Sequence, residues 1–164
     1  MGADELLVEL MTESGRRLLR LAYQLTRDQA SAEDVVQEAL TRMYQSWRRR
    51  TPELVEAEAY AKRAVVNEYL RRRRQRSSTE VVSAAPPEQV ATAFEDGLVD
   101  RDALWQALGG LSSRQRAVLV LRYYEQLPDA QIAELLGVKD ATVRSLALRG
   151  LTSLRSAHGV LEGS

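Results

Sequence analysis

The segment Ser77 to Asp96, SSTEVVSAAPPEQVATAFED, limits the fold of this chain more than any other stretch. Small residues, two adjacent prolines and the lack of a sustained hydrophobic period give it no face to pack. The sequence on either side is helix-forming. The chain is therefore expected to fold as two small helical blocks, 1–76 and 98–158, joined by a flexible linker over 77–97. A length of 164 residues with only 9 Gly, 4 Pro and a single Phe fits an all-α protein of that kind.

The first block shows its helices by spacing. Leu18, Leu19, Ala22 and Leu25 recur at helical intervals, and Thr26 to Ala30 reads as a short connection. Ser31-Ala32-Glu33-Asp34 has the form of a capping box, which predicts a helix start at Ser31. Val35, Val36, Ala39, Leu40, Met43, Tyr44 and Trp47 then form one apolar stripe. Thr51-Pro52 breaks the chain, and a third helix is predicted from Glu56 to Arg74. Asn67 sits among apolar neighbours there and is expected to be buried. In the second block Leu104, Leu108, Leu111, Val118, Leu119, Leu121 and Leu127 are the core candidates.

Formal net charge is zero, yet Arg42 to Arg76 holds eleven Lys/Arg against four Asp/Glu. A polyanion needs a positive local face, not a positive whole. The chain has no cysteine and one histidine, His158. That excludes a disulfide framework and a thiolate metal site and leaves only scattered carboxylates, so neither an enzyme nor a cofactor is expected. No run approaches a membrane span, and Met1 to Met11 carries acids rather than a basic lead. A cytoplasmic protein with no direct membrane insertion is the expectation.

Near the C-terminus, Asp129 to Val138 followed by Lys139 to Ser145 has the form of a helix-turn-helix. Ala133 is small where two helices would cross, and Gly137 can take the left-handed conformation that ends the first. Ile132, Leu136, Val138 and Val143 form the inner face. Thr142, Arg144, Ser145 and Arg149 are left for the outer face, which suits a DNA major groove. A plain helical hairpin is the alternative. Upstream, Asp34, Gln37, Glu38 and Thr41 line the helix side opposite Val35 and Val36; a docking face and an ordinary solvated face both fit.

In this order the parts resemble the bacterial RNA polymerase sigma factors of the extracytoplasmic-function group, within the sigma-70 family, in a compact actinobacterial form. Leu21 to Thr26 with Ala32 to Leu40, and Ala59 to Asn67, are similar to region 2. Leu111 to Leu119, continuing to Arg155, is similar to region 4. The resemblance implies that Asp34, Gln37, Glu38 and Thr41 dock on the β′ clamp helices of core RNA polymerase. It implies that Tyr60, Arg63 and Asn67 meet the opened −10 element, where an amide can read a flipped base and a ring can stack on one. Asn67 as a brace for a neighbouring loop stays open as well.

Arg71, Arg72, Arg73 and Arg74, with Arg76, cannot all face one way on a helix. They are expected to attract phosphate without reading sequence. Arg48 to Arg50 either joins them or simply ends a helix favourably. Lys139, Thr142, Arg144, Ser145 and Arg149 would read the −35 element of promoter DNA. Apolar residues of the second block would contact the β flap, and the acidic linker would lie near the RNA exit path. An anti-sigma factor is a further family expectation.

Four positions depart from the family pattern. Pro128 replaces a Ser cap, so Asp129 is expected to cap instead. Gln131 stands for Glu, Lys139 for Ser with Asp140 taking over its role, and Leu146 for a polar residue. Two rivals are a stand-alone helix-turn-helix regulator and a sigma-like interaction protein that does not read DNA. The first does not explain Tyr60 to Arg74, and the basic faces argue against the second.

Overall fold

The computed structural model describes residues 2–77 and 109–162, with side chains to 75 and to 155. Ser77, expected to open the linker, instead ends α3; the rest of the expected linker and the core candidates Leu104 and Leu108 lie outside the described residues, as does the side chain of Arg76. Among the described residues there are six α-helices and no strand. The chain divides into two compact units, Met1–Arg74 and Gln75–Ser164.

The first unit packs three helices, α1 (Ala3–Thr26), α2 (Gln29–Trp47) and α3 (Leu54–Ser77). α1 buries Leu6, Leu10, Ser14, Leu18, Leu21, Ala22 and Leu25, a stripe at helical spacing. α2 answers with Ala32, Val35, Val36, Ala39, Leu40, Met43 and Trp47. Tyr44, expected in that stripe, is only half-buried because its hydroxyl donates to the Asp4 carboxylate on α1. α3 contributes Ala57, Ala61, Val65, Val66 and Tyr69. The Ser14 hydroxyl donates to Glu58 Oε1 at 2.8 Å, a polar tie between α1 and α3.

The connection from α1 to α2 is shorter than the sequence suggests, and the predicted capping box at Ser31 is not the start. Asp28 is the N-cap: its Oδ2 accepts from the Ser31 backbone N at 2.9 Å and from the Ser31 hydroxyl at 2.8 Å. An acid three residues ahead of Ser31 takes the orphan amide first, so the helix begins sooner. Arg27 makes the turn in the left-handed region, φ 60°, with its N–H donating to the Tyr23 carbonyl at 2.8 Å. An L-residue with a Cβ is strained there. α3 also exceeds its predicted bounds of Glu56 to Arg74 at both ends.

The second unit has α4 (Ser113–Leu119), a π-helical turn (Val120–Tyr124), α5 (Asp129–Leu136) and α6 (Asp140–Glu162). Ser112 and Gln115 form a reciprocal capping box at the head of α4. Gly137 ends α5 at φ 65°, as expected of a glycine there, and the Val138 N–H returns to the Ala133 carbonyl at 3.0 Å. The core holds Leu111, Val118, Leu119, Leu121, Ile132, Ala133, Val143, Ala147 and Leu154. Leu127, Leu136 and Val138 are only half-buried. Asp129 does not cap α5: Pro128 holds the cap position without a side-chain bond, and the Asp129 carboxylate pairs with Arg122 at 3.2 Å.

Gly150 brings α6 close to α4. A Cβ there would stand 2.9 Å from Leu119 Cδ1 and 3.6 Å from Gln115 Cβ. Gly150→Val is expected to destabilise this unit by about 1–3 kcal/mol, the range for forcing methyl groups into a packed core. Thermal unfolding of the full chain checks it; an unchanged melting curve would mean that Leu119 yields freely.

Candidate functional site

Three exposed or partly exposed surfaces carry the residues singled out by sequence. The first is the outer side of α2. Burying Val35, Val36, Ala39 and Leu40 leaves Asp34, Gln37 and Thr41 exposed and Glu38 partly so. The Thr41 hydroxyl bonds the Gln37 carbonyl of its own helix at 2.8 Å. Glu38 Oε1 accepts from Arg42 Nε at 3.1 Å, an exposed pair one turn apart. The surface is acidic and amide-rich, with one cation at its end.

The second surface lies on α3. Tyr60, Arg63 and Asn67 fall at i, i+3 and i+7, so they share one side. Tyr60 is 57% exposed. Asn67 is exposed too, contrary to the expectation of burial. Val65 and Val66 point inward, and the next residue, about 100° further round the helix, points out. Among the described residues the Asn67 amide makes no hydrogen bond that would let it brace a loop. A ring and an amide are thus presented together on one face.

The four arginines that follow have separate environments. Arg71 donates to Glu68 twice, Nε to Oε2 at 3.0 Å and Nη2 to Oε1 at 2.7 Å. Arg72 Nε donates to Glu68 Oε1 at 2.9 Å, and its Nη2 reaches the Asp34 carbonyl on α2 at 3.5 Å. Glu68 itself is only 3% exposed. Arg73 adds its charge to the environment of Arg27, whose pKa is lowered first by burial and then by that like charge. Arg74 is exposed. The shared role expected for the run leaves out Glu68. Its spacing of three and four residues from Arg71 and Arg72 was the available signal. Arg48 to Arg50 follow the end of α2 and are exposed.

The third surface is the outside of α6. Val143 and Ala147 face the core. Lys139, Arg144 and Arg149 are exposed, and Thr142 and Ser145 are half-buried. Asp140 lies in the first turn, where its charge suits the helix N-terminus. The face also carries an exposed apolar side chain. Leu148 is 65% exposed, one turn beyond Arg144 and Ser145. Its apolar chemistry gives no sign in the sequence that it lies at the surface. Tyr123 and Tyr124 on the π-helical turn are also exposed and were not anticipated, with Arg122 stacked 5.8 Å from the Tyr123 ring centre. Among the described residues no helix is long and apolar enough to cross a membrane.

The chain is similar to known proteins over both units. Residues 10–79 match the model of sigma-70 region 2, and residues 101–154 match that of sigma-70, region 4. The RNA polymerase sigma-E factor of Streptomyces coelicolor is 35% identical over 142 residues, spanning 84% of this chain and 77% of that protein. The ECF RNA polymerase sigma factor SigL of Mycobacterium tuberculosis is 35% identical over 155 residues, 89% of this chain and 85% of the relative. In fold, the chain is similar to the sigma factor RpoE of Bartonella quintana, solved with the anti-sigma factor NepR. The TM-score is 0.63 at 19% identity, covering 90% of this chain and 92% of that one.

Proposed function

The chain belongs to the sigma-70 family of RNA polymerase sigma factors, in its extracytoplasmic-function group, and from that membership we propose how its surfaces work in transcription initiation. It binds core RNA polymerase and directs it to promoter DNA. The observation that carries this reading is the pairing of a region 2 and a region 4 on one chain, each presenting a solvent-facing surface suited to its partner. Nucleotide addition belongs to the polymerase, so the chain is an initiation factor rather than an enzyme, and it works in the cytoplasm.

Region 2, residues 1–76, docks through Asp34, Gln37, Glu38 and Thr41 on a basic helical partner, the β′ clamp helices. Its α3 presents Tyr60 to stack on an unstacked base of the −10 element and Asn67 to pair with one, while Arg63, Arg73 and Arg74 neutralise nearby phosphate. Unstacking costs a few kcal/mol per step, so capturing one or two bases supplies a useful share of melting. Region 4, residues 98–158, lays the outer face of α6 in the major groove of the −35 element. Lys139 and Arg149 hold backbone, and Thr142, Arg144 and Ser145 lie beside the bases. Tyr123 and Tyr124 supply exposed aromatic surface for the β flap. An anti-sigma factor that covers these faces would silence the chain.

The test is transcription from a promoter library by core polymerase with and without the full chain. Selective start sites that appear only with the chain support the reading. Duplex binding without polymerase binding would favour the stand-alone regulator instead.

Leu148 gives this reading a sharper edge. An exposed leucine on a groove-binding face suits the C5-methyl of thymine. Replacing the contacted thymine by uracil is expected to weaken duplex binding roughly fourfold, the worth of about 0.8 kcal/mol per buried methyl-sized group. With Leu148→Ala the same replacement should have no effect. Equal losses in both proteins would mean that Leu148 does not meet a base.

A further inference from the structure

Arg71 lies one helical turn beyond Asn67, so it continues the side of α3 that presents Tyr60 and Asn67. Its guanidinium nonetheless turns back onto Glu68 in a two-point bond. Arg72 shares the same carboxylate. Arg42 Nη1 stands 3.9 Å from Glu68 Oε2, so a third cation faces it from α2. Three arginines thus converge on one carboxylate that is almost wholly removed from water.

Resting on the proposed reading of α3 as the −10 face, we infer that Glu68 is a positioning residue of the DNA interface. It withholds Arg71 and Arg72 from phosphate and so sets how many arginines of the run add sequence-blind affinity. A buried carboxylate stripped of its partners is far more costly than the loss of a solvated contact, because water cannot take the partners' place. A phosphate at the surface, by contrast, competes with water and salt for the same guanidinium. The two arginines therefore stay on Glu68 when DNA arrives. Arg72, through the Asp34 carbonyl, braces α3 against the N-terminal part of α2 instead.

This sets an expectation opposite in sign to that for a merely structural salt bridge. Each phosphate neutralised on a duplex steepens the fall of log K with log salt by about 0.9. The probe is a promoter-free duplex, bound by the polymerase–chain complex over a salt series. Glu68→Gln should steepen the slope by about 0.9 to 1.8 and tighten binding at low salt, as one or both arginines are released. Arg74→Gln should flatten the slope by about 0.9. Arg71→Gln should leave it unchanged, and this arm stands even where melting shows that Glu68→Gln does not fold. An Arg71→Gln slope flattened as much as that of Arg74→Gln overturns the inference alone. So does weaker binding by a folded Glu68→Gln. An Arg74→Gln slope equal to that of the native complex would instead overturn the assignment of α3 to DNA.

Discussion

Replacing Tyr60 and Asn67 together by alanine is expected to suppress promoter opening while leaving polymerase binding intact. A base stacked on an aromatic ring contributes about 1–3 kcal/mol by alanine substitution, and a paired amide contact about the same. If the two add, the loss is at least about 2 kcal/mol, roughly thirtyfold in open complex at fixed protein concentration. Both side chains are exposed on α3, so the fold should not suffer. Permanganate reactivity of unpaired thymines in the −10 element reads the opening directly. A pull-down of core polymerase supplies the control. Single variants measure how far the two contacts depend on each other, since neighbours on one helix face seldom act independently. Unchanged thymine reactivity in the double variant would remove α3 from the melting step.

The larger effect is expected on the outer face of α2. Asp34→Lys with Glu38→Lys turns an acidic face basic. Against a basic helical partner, like charges in contact cost several kcal/mol, so affinity for core polymerase should fall more than about 100-fold. The pair lost within the chain, Glu38 with Arg42, is exposed and one turn apart, and such pairs contribute little. Thermal unfolding should therefore barely change while transcription disappears. Titration of labelled chain with core polymerase distinguishes this from misfolding. Retained affinity in a folded variant would place the docking surface elsewhere.

Much of the fold could be read from periodicity, because burial on a helix repeats. The stripe from Val35 to Trp47 lies where its spacing puts it, and Gly137 ends α5 in the conformation that glycine tolerates best. Errors arose where two residues competed for one role. Asp28 and Ser31 can both cap a helix, and only the backbone decides that Asp28 does. Asp129 is the natural substitute for a missing serine cap in the sequence, but Arg122 holds its carboxylate. Asn67 looked buried because its sequence neighbours are, although successive helical residues point about 100° apart. Arg71 to Arg74 share one expected role in the sequence, because charge alone does not reveal the buried Glu68 that holds two of them. Leu148 escapes notice for a simpler reason: an apolar residue resembles core in a sequence until its exposure is known.

The carboxylate under the arginines also has a bearing on acidity. Burial pushes the Glu68 pKa up, but hydrogen bonds from Arg71 and Arg72 and the charges of Arg71 and Arg42 outweigh it, leaving the pKa below its ordinary value. A group that holds its proton less tightly when folded gives its full stabilisation above the unfolded pKa. That contribution is lost only as the pH falls through the lowered one. The brace between α3 and α2 therefore stays ionised throughout mild acidification. Among the forces that hold this unit together, it is one that an acid shock would release late.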